Sequence, residues 1–245
     1  LLSLPLSGLA DTQLNGLSST QWTALANTQL DGLTSTQLAA LADTQLNGLT
    51  SSQLAGFANT QLATLSSSQL TALANTQLAG LASAQWSGLA STQMSGLTSA
   101  QLSSLTTTQL VGLSSAQIGA LTATQVMGLS SVQVGGLTTA QITSITGSAV
   151  FQSLTATQVV GLTTGQIQAL TTTQIGWLIQ SQVQALTTTQ VSSLASVELA
   201  ALSTTQMVSL TAVQVSALTT TQVPFLSTGN IVLGAGHAML ADFGI

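Results

Sequence analysis

The stretch Leu105-Thr106-Thr107-Thr108-Gln109-Leu110-Val111-Gly112, with Leu113 opening the next one, decides how this chain is read. Thr106 and Gln109 have the spacing of a capping box. A hydroxyl at the N-cap accepts from a free backbone N–H, and the N3 glutamine reaches back to the N-cap amide. Leu105 and Leu110 then fall on N′ and N4, the two positions of a hydrophobic staple. Gly112 stands where a helix C-terminus favours glycine. The octad therefore predicts one short helical turn followed by a corner.

The same octad runs through almost the whole sequence. Glutamine fills 25 of 29 slots spaced by eight, from Gln13 to Gln141 and again from Gln158 to Gln222. The exceptions are Pro5, a one-residue slip near Ala149 and Val150, Glu198 and Asn230. Such self-similarity marks a repeat architecture. A continuous helix is excluded, because eight residues make about 2.2 turns and the leucine stripe would rotate by roughly 80° per octad. Each octad must turn.

The reading that follows is an all-α solenoid of very short capped helices. Asp11, Asn27, Asp43, Asn59 and Asn75 recur at 16 residues, on octads whose N-cap position is alanine. That alternation suggests two octads per coil, with the cap moved by one residue onto the Asp or Asn. Small residues at position 8 would let neighbouring segments approach closely. The competing fold is a β-solenoid. Val, Ile and Thr dominate beyond about residue 118, Asn15-Gly16 and Asn47-Gly48 are tight-turn pairs, and stacked glutamines can form amide ladders. The spacings of five and three between apolar positions oppose strict strand alternation.

The octads define a repeat region over residues 1–229, with the slip at 146–153 expected to make a bulge or a change of direction. Residues 230–245 depart from the pattern and read as a terminal cap or a junction to a following segment. The absence of an initiator Met suggests a segment or mature form of a longer chain. Trp22 and Trp86 fall on core position 6, whereas Trp177 replaces a small position-8 residue.

Composition narrows the partners. The chain has no Lys or Arg and a net charge of −5. Nucleic acid is excluded on this reading, because phosphate binding needs cationic side chains, and anionic membrane surfaces are disfavoured. Apolar residues are interrupted too often for a spanning helix. Cysteine is absent, so disulfides and thiolate metal sites are ruled out.

No catalytic, cofactor-binding or metal-ligating residue emerges, and no cofactor is expected. His237 is the only histidine, with Asp242 the only acid near it. Gly234-Ala235-Gly236 is too short for a phosphate loop. The serines have no histidine base, and the acids are too scattered for a general acid/base pair. Asp11, Asn27 and Asp43 suit capping or solvation better than calcium.

Leu170-Thr171-Thr172-Thr173-Gln174-Ile175 and Leu186-Thr187-Thr188-Thr189-Gln190-Val191 resemble the Leu-Thr-x-x-Gln-Val/Ile-x-Ala-Leu tandem repeats of very large secreted or surface-associated bacterial proteins with adhesin-like organisation. The resemblance covers about residues 9–226 and implies an extracellular or cell-surface setting. The octad is also similar to the opening of TAL-effector repeats, Leu-Thr-Pro-x-Gln-Val. The remainder of that repeat and its basic residues are missing, so DNA recognition does not carry over. The expected function is a structural, non-enzymatic one: an extracellular rod, filament or stalk that self-associates or continues into further domains. The alternative is a surface-binding protein that meets ice or a polysaccharide with regular Thr/Ser rows.

Overall fold

In the computed structural model of the protein the described residues are 6–225. They form 26 α-helices of four to six residues, flanked by 3-10 turns at Leu6–Gly8 and Val223–Phe225, and among them there is no strand. The chain is an α-solenoid, not a β-solenoid. The 230–245 segment, with His237 and Asp242, lies outside the described residues.

Each helix is far too short to persist alone, since nucleation is costly and few bonds follow it. Local devices compensate. Thr106 is the N-cap of Thr107–Val111, extended at φ −71° and ψ 158°. Its Oγ1 accepts from the Gln109 N–H at 3.2 Å, and the Thr106 N–H donates to Gln109 Oε1 at 2.8 Å. The staple residues Leu105 and Leu110 are both buried. A corner arises because the leucine at position 1 and the cap at position 2 both leave helical ψ, as at Leu97 and Thr98.

Where the N-cap is alanine the cap does not migrate. Ala26, Ala58 and Ala74 remain the N-caps without a side-chain bond, and Asn27, Asn59 and Asn75 are the first helical residues. Gln29, Gln61 and Gln77 still accept from the alanine N–H, so half of the box survives. The asparagines work elsewhere. Asn59 Nδ2 donates to the Ala84 carbonyl at 2.9 Å, and Asn75 reaches Ala100 in the same way.

That 25-residue reach corrects the expected coil. Helices pack on those three octads away, as Ser67–Ala72 on Ser91–Gly96 and Ser131–Gly136 on Ala156–Gly161. Glutamine amides reach back 28 to 31 residues. A coil therefore holds between three and four octads, not two. An odd offset of three also explains the 16-residue alternation. It sets each Asn-bearing octad against a Ser/Thr- or Ala-Ser-bearing one, as Asn27 against Ser52 and Asn59 against Ala84.

The position-8 glycines serve close approach and not a left-handed turn. Gly112 is right-handed, at φ −68°. A Cβ on it would stand 2.7 Å from Ser83 Cβ, and one on Gly96 would stand 2.5 Å from Ser67 Cβ. Small residues at position 8 thus let coils meet, as expected.

The chain divides into two compact units, Leu1–Gly128 and Leu129–Ile245. Each is built on the same plan, with positions 1 and 6 forming a narrow apolar core. Leu38, Leu46, Leu54, Trp22 and Trp86 fill it in the first unit, and Phe151, Val183 and Leu199 in the second. The two buried indoles keep their Nε1–H without an acceptor, a cost of burying a donor that the ring area must outweigh.

Candidate functional site: the glutamine ladder and its ends

No constellation of reactive side chains forms among the described residues, and none of their acids or histidines group in threes. What recurs is the glutamine. Position 5 is buried from Gln69 through Gln141 and from Gln158 through Gln222, with Glu198 in one slot. Its Oε1 closes the capping box of its own octad while its Nε2 crosses to the preceding coil. Gln101 Nε2 donates to the Leu70, Thr71 and Leu73 carbonyls at 3.0, 3.0 and 2.8 Å. Gln117 holds Trp86 and Leu89 at 2.8 and 2.7 Å, and Gln214 holds Val183 and Leu186 at 2.8 and 2.6 Å. One amide thus satisfies an N-terminal N–H and the position-1 carbonyl 28 residues earlier, and adds a second donor to the position-6 carbonyl 31 residues earlier, which already accepts from the next position-1 N–H, as Leu70 does from Leu73. Serine, threonine or alanine is too short to do both.

The capping box foretold the Oε1 bond to the N-cap amide, but not the partners of Nε2. The acceptors lie about 30 residues away, and only the coil period reveals them.

The slip is absorbed locally. Gly147 caps Ser148–Gln152 with no side-chain bond, Val150 takes the glutamine slot, and Phe151 occupies core position 6. The extra residue, Thr146, sits exposed between buried Ile145 and the cap. Gln166 and Gln174, which span it, reach back 32 and 29 residues to Val134 and Leu137, and to Ile142 and Ile145. From Gln182 onward the spacing returns to 31 and 28. The insertion therefore makes a bulge and leaves the pairing of coils intact. Trp177, half-buried, rests on Phe151 with ring centroids 6.1 Å apart and planes tilted by 58°.

Glu198 is the other exception. Its Oε2 accepts from the Ala195 N–H at 2.7 Å, completing the cap, and the side chain is buried. Burial pushes its carboxyl above the ordinary carboxylate range, and the Ala195 bond offsets this only in part.

The hydroxyl rows are largely committed. Position-2 hydroxyls cap helices, and position-3 hydroxyls bind the next coil, as Ser67 Oγ to the Thr92 carbonyl and Ser83 Oγ to Thr108. Position 4 is outward, but valine interrupts it at Val132, Val197 and Val213.

The geometry defines the class, a tandem-repeat α-solenoid. Residues 96–131 and 196–228 match the family model of the ALTTAQ repeat, which supports a repeat region of that kind. A comparison with curated proteins finds no match. No helix of the described residues is long and apolar enough to cross a membrane.

Proposed function

We propose that this chain is a structural repeat segment of an extracellular rod, filament or surface stalk, and that it is not an enzyme. The observation that carries this reading is where the polar side chains are spent. Glutamines, cap hydroxyls and asparagines are used on the chain's own backbone, coil upon coil, and between Asp43 and Glu198 there is no charged side chain at all. A molecule so built offers repetition and mechanical continuity. The commitment of two hydroxyl rows to internal bonds favours this role over binding of ice or a polysaccharide. The net charge of −5 leaves little repulsion between copies, so self-association is part of the proposal, and nucleic acid is not a partner.

The test is immunogold electron microscopy of the source cells with an antibody raised to this chain. Label on fibres or stalks outside the cell is the expected result. Label confined to the cell interior would overturn the reading.

A further inference from the structure

The tight-turn pairs Asn15-Gly16 and Asn47-Gly48 make no left-handed turn, so backbone conformation does not account for their glycines. Asn47 closes the helix Asp43–Leu46 at φ −67° and ψ −21°, and the Gly48 N–H donates to the Gln45 carbonyl at 3.0 Å. Asn47 is exposed, and its carboxamide has no partner among the described residues. The other described asparagines are engaged 25 residues on. Asn59 and Asn75 reach the Ala84 and Ala100 carbonyls at 2.9 and 3.3 Å, and Asn15 and Asn27 reach Ala40 and Ser52 at 3.5 Å. Asn27, Asn59 and Asn75 are each followed by threonine. Asn47 alone combines a free carboxamide with a following glycine, which has no Cβ to hinder attack by its own amide nitrogen.

We propose that Asn47-Gly48 is a self-modification site, where the chain deamidates and Gln77 sets the rate. The Gly48 nitrogen gives its proton to hydroxide and bonds to Asn47 Cγ. The carboxamide C–N bond breaks, and ammonia leaves with a proton from water. Water then opens the cyclic imide. Attack at Cγ gives an aspartate. Attack at the backbone carbonyl carbon gives an isoaspartate, with the chain routed through the side chain and one methylene longer. No oxidant, metal or second protein is needed. Closure requires the Gly48 N–H to leave the Gln45 carbonyl, and this corner is held in place. Gln77 Nε2 donates to the Leu46 and Leu49 carbonyls at 2.9 and 2.6 Å. Thr23 Oγ1 donates to the Gly48 carbonyl. The reaction therefore goes through local opening of the corner, and the Gln77 rung raises the free energy of that opening.

The two products differ in what they do to the fold. Asp31 follows Asn27–Leu30 as Asn47 follows Asp43–Leu46, so a carboxylate is already accommodated at that place. At position 47 it would lie one helical turn from Asp43 and at a helix C-terminus, both unfavourable, but only slightly so between exposed groups. The isoaspartate has no such room. Gly48 is buried, and even a Cβ on it would stand 2.7 Å from Ser19 Cα and from the Ser19 carbonyl oxygen. An extra backbone methylene displaces Gly48 from Ser19 and Thr23, and so parts the helix Ser19–Thr23 from Asp43–Leu46, which packs on it. The site is thus an irreversible clock on one coil contact of the first unit, whatever the chain is for.

The experiment ages the folded chain in mildly alkaline buffer and follows each asparagine by peptide mapping, with isoaspartate scored by enzymatic methylation. Asn47 is expected to gain the mass of an amide-to-acid exchange, with isoaspartate among the products, while Asn27, Asn59 and Asn75 keep their amides. Gln77→Leu should speed conversion at Asn47 about tenfold or more. Gln93→Leu removes an equivalent rung, from the Leu62 and Leu65 carbonyls, and should leave the Asn47 rate near that of the parent. In the isoaspartate form, hydrogen exchange should rise at residues 19–24, whereas Asn47→Asp should keep the parental protection there. Conversion of Asn59 or Asn75 as fast as that of Asn47, or an Asn47 that stays amidated in the Gln77→Leu chain, would overturn the site. Equal acceleration by Gln77→Leu and Gln93→Leu would overturn the role of this rung, because global unfolding would then govern the rate.

Discussion

Two octads of the second unit depart from the pattern, and they fail in different ways. At the slip, Val150 stands in the glutamine slot, so that octad has neither the cap acceptor nor the amide donor at position 5. At Leu194–Ala201, Glu198 supplies the acceptor and, while ionised, has no donor. The slip octad nevertheless serves as an ordinary acceptor. Gln182 Nε2 reaches the Phe151, Gln152 and Leu154 carbonyls at 3.2, 3.2 and 2.8 Å. The contrast separates the two tasks of the glutamine. A missing rung is tolerated when its neighbours hold the register and an apolar side chain fills the space. A charged rung fits the local turn and opposes the coil beneath.

The largest effect is expected where an intact rung beside these defects is removed. Gln182→Leu orphans the Ile179 N–H, which now donates to Oε1 at 2.9 Å, and the buried Leu154 carbonyl, while the Phe151 carbonyl keeps the bond from the Leu154 N–H at 3.2 Å. Each unsatisfied buried group costs about 1–3 kcal/mol, so a loss of about 2–6 kcal/mol is expected. Hydrogen exchange should locate the opening at residues 179–186 and 151–154. Slow exchange there, with unchanged melting, would mean that the ladder contributes little. Gln182→Glu should fall between, because the cap bond survives.

Close packing on the coil that spans the slip gives the next test. A Cβ on Gly161 would stand 2.6 Å from the Ser131 carbonyl oxygen, which is backbone and cannot swing aside. Gly161→Ala is expected to destabilise by about 1–3 kcal/mol, the usual cost of overpacking. A neutral result in thermal melts would show that the bulge had loosened the coils it separates. Gly176, with nothing within 4 Å of its Cβ position, is the matched control, and Gly176→Ala should gain up to about 1 kcal/mol.

How much of this was legible in the sequence depends on range. The cap, the staple and the core positions lie within one octad, and Thr106, Gln109, Leu105 and Leu110 announced them. The close approach of position 8 was legible from its small residues. The coil was not. The 16-residue recurrence of Asn and Asp looked like a two-octad coil, but it marks heterotypic contact at an odd offset, which tertiary bonds such as those from Asn59 to Ala84 and Asn75 to Ala100 disclose. For the same reason Asn27 was read as a displaced cap. A local rule favours Asn at N-caps, and a tertiary bond overrides it.

Glu198 provides a smaller effect with a defined pH dependence. The ladder register assigns the Ile167 and Leu170 carbonyls to this slot, and a carboxylate cannot donate to them. It is the only titratable side chain among the described residues of the second unit, so no other group of Thr172–Trp177, the helix packed beneath it, or of Val223–Phe225 titrates against it. Its folded-state pKa is raised, so folding favours the protonated form. Stability is then fully present below the ordinary value of about 4.3 and is lost as pH rises through the folded value. Glu198→Gln should add about 1–2 kcal/mol at neutral pH and flatten this dependence. Melting temperatures of parent and variant between pH 3 and 8 decide it. Parallel curves would show that the carboxylate is solvated and harmless.

The smallest effect returns to the slip. Gly147 is an N-cap with extended backbone, φ −87° and ψ 118°, a conformation open to any L-residue. A Cβ there would meet Val150 Cγ2 at 3.4 Å, an ordinary contact. Gly147→Ser would therefore place a hydroxyl where Thr106 has one, within reach of the Val150 N–H, without steric cost. Glycine is itself a tolerable cap, so the gain is expected to be only a few tenths of a kcal/mol. At such a size, exchange protection of the Val150 and Phe151 amides is a better reporter than global melting. Increased protection at those two amides alone would show that the slip octad lacks only its cap. If protection stays low despite the serine, the empty amide slot at Val150 limits that turn, and the glutamine is the more important half of the capping box.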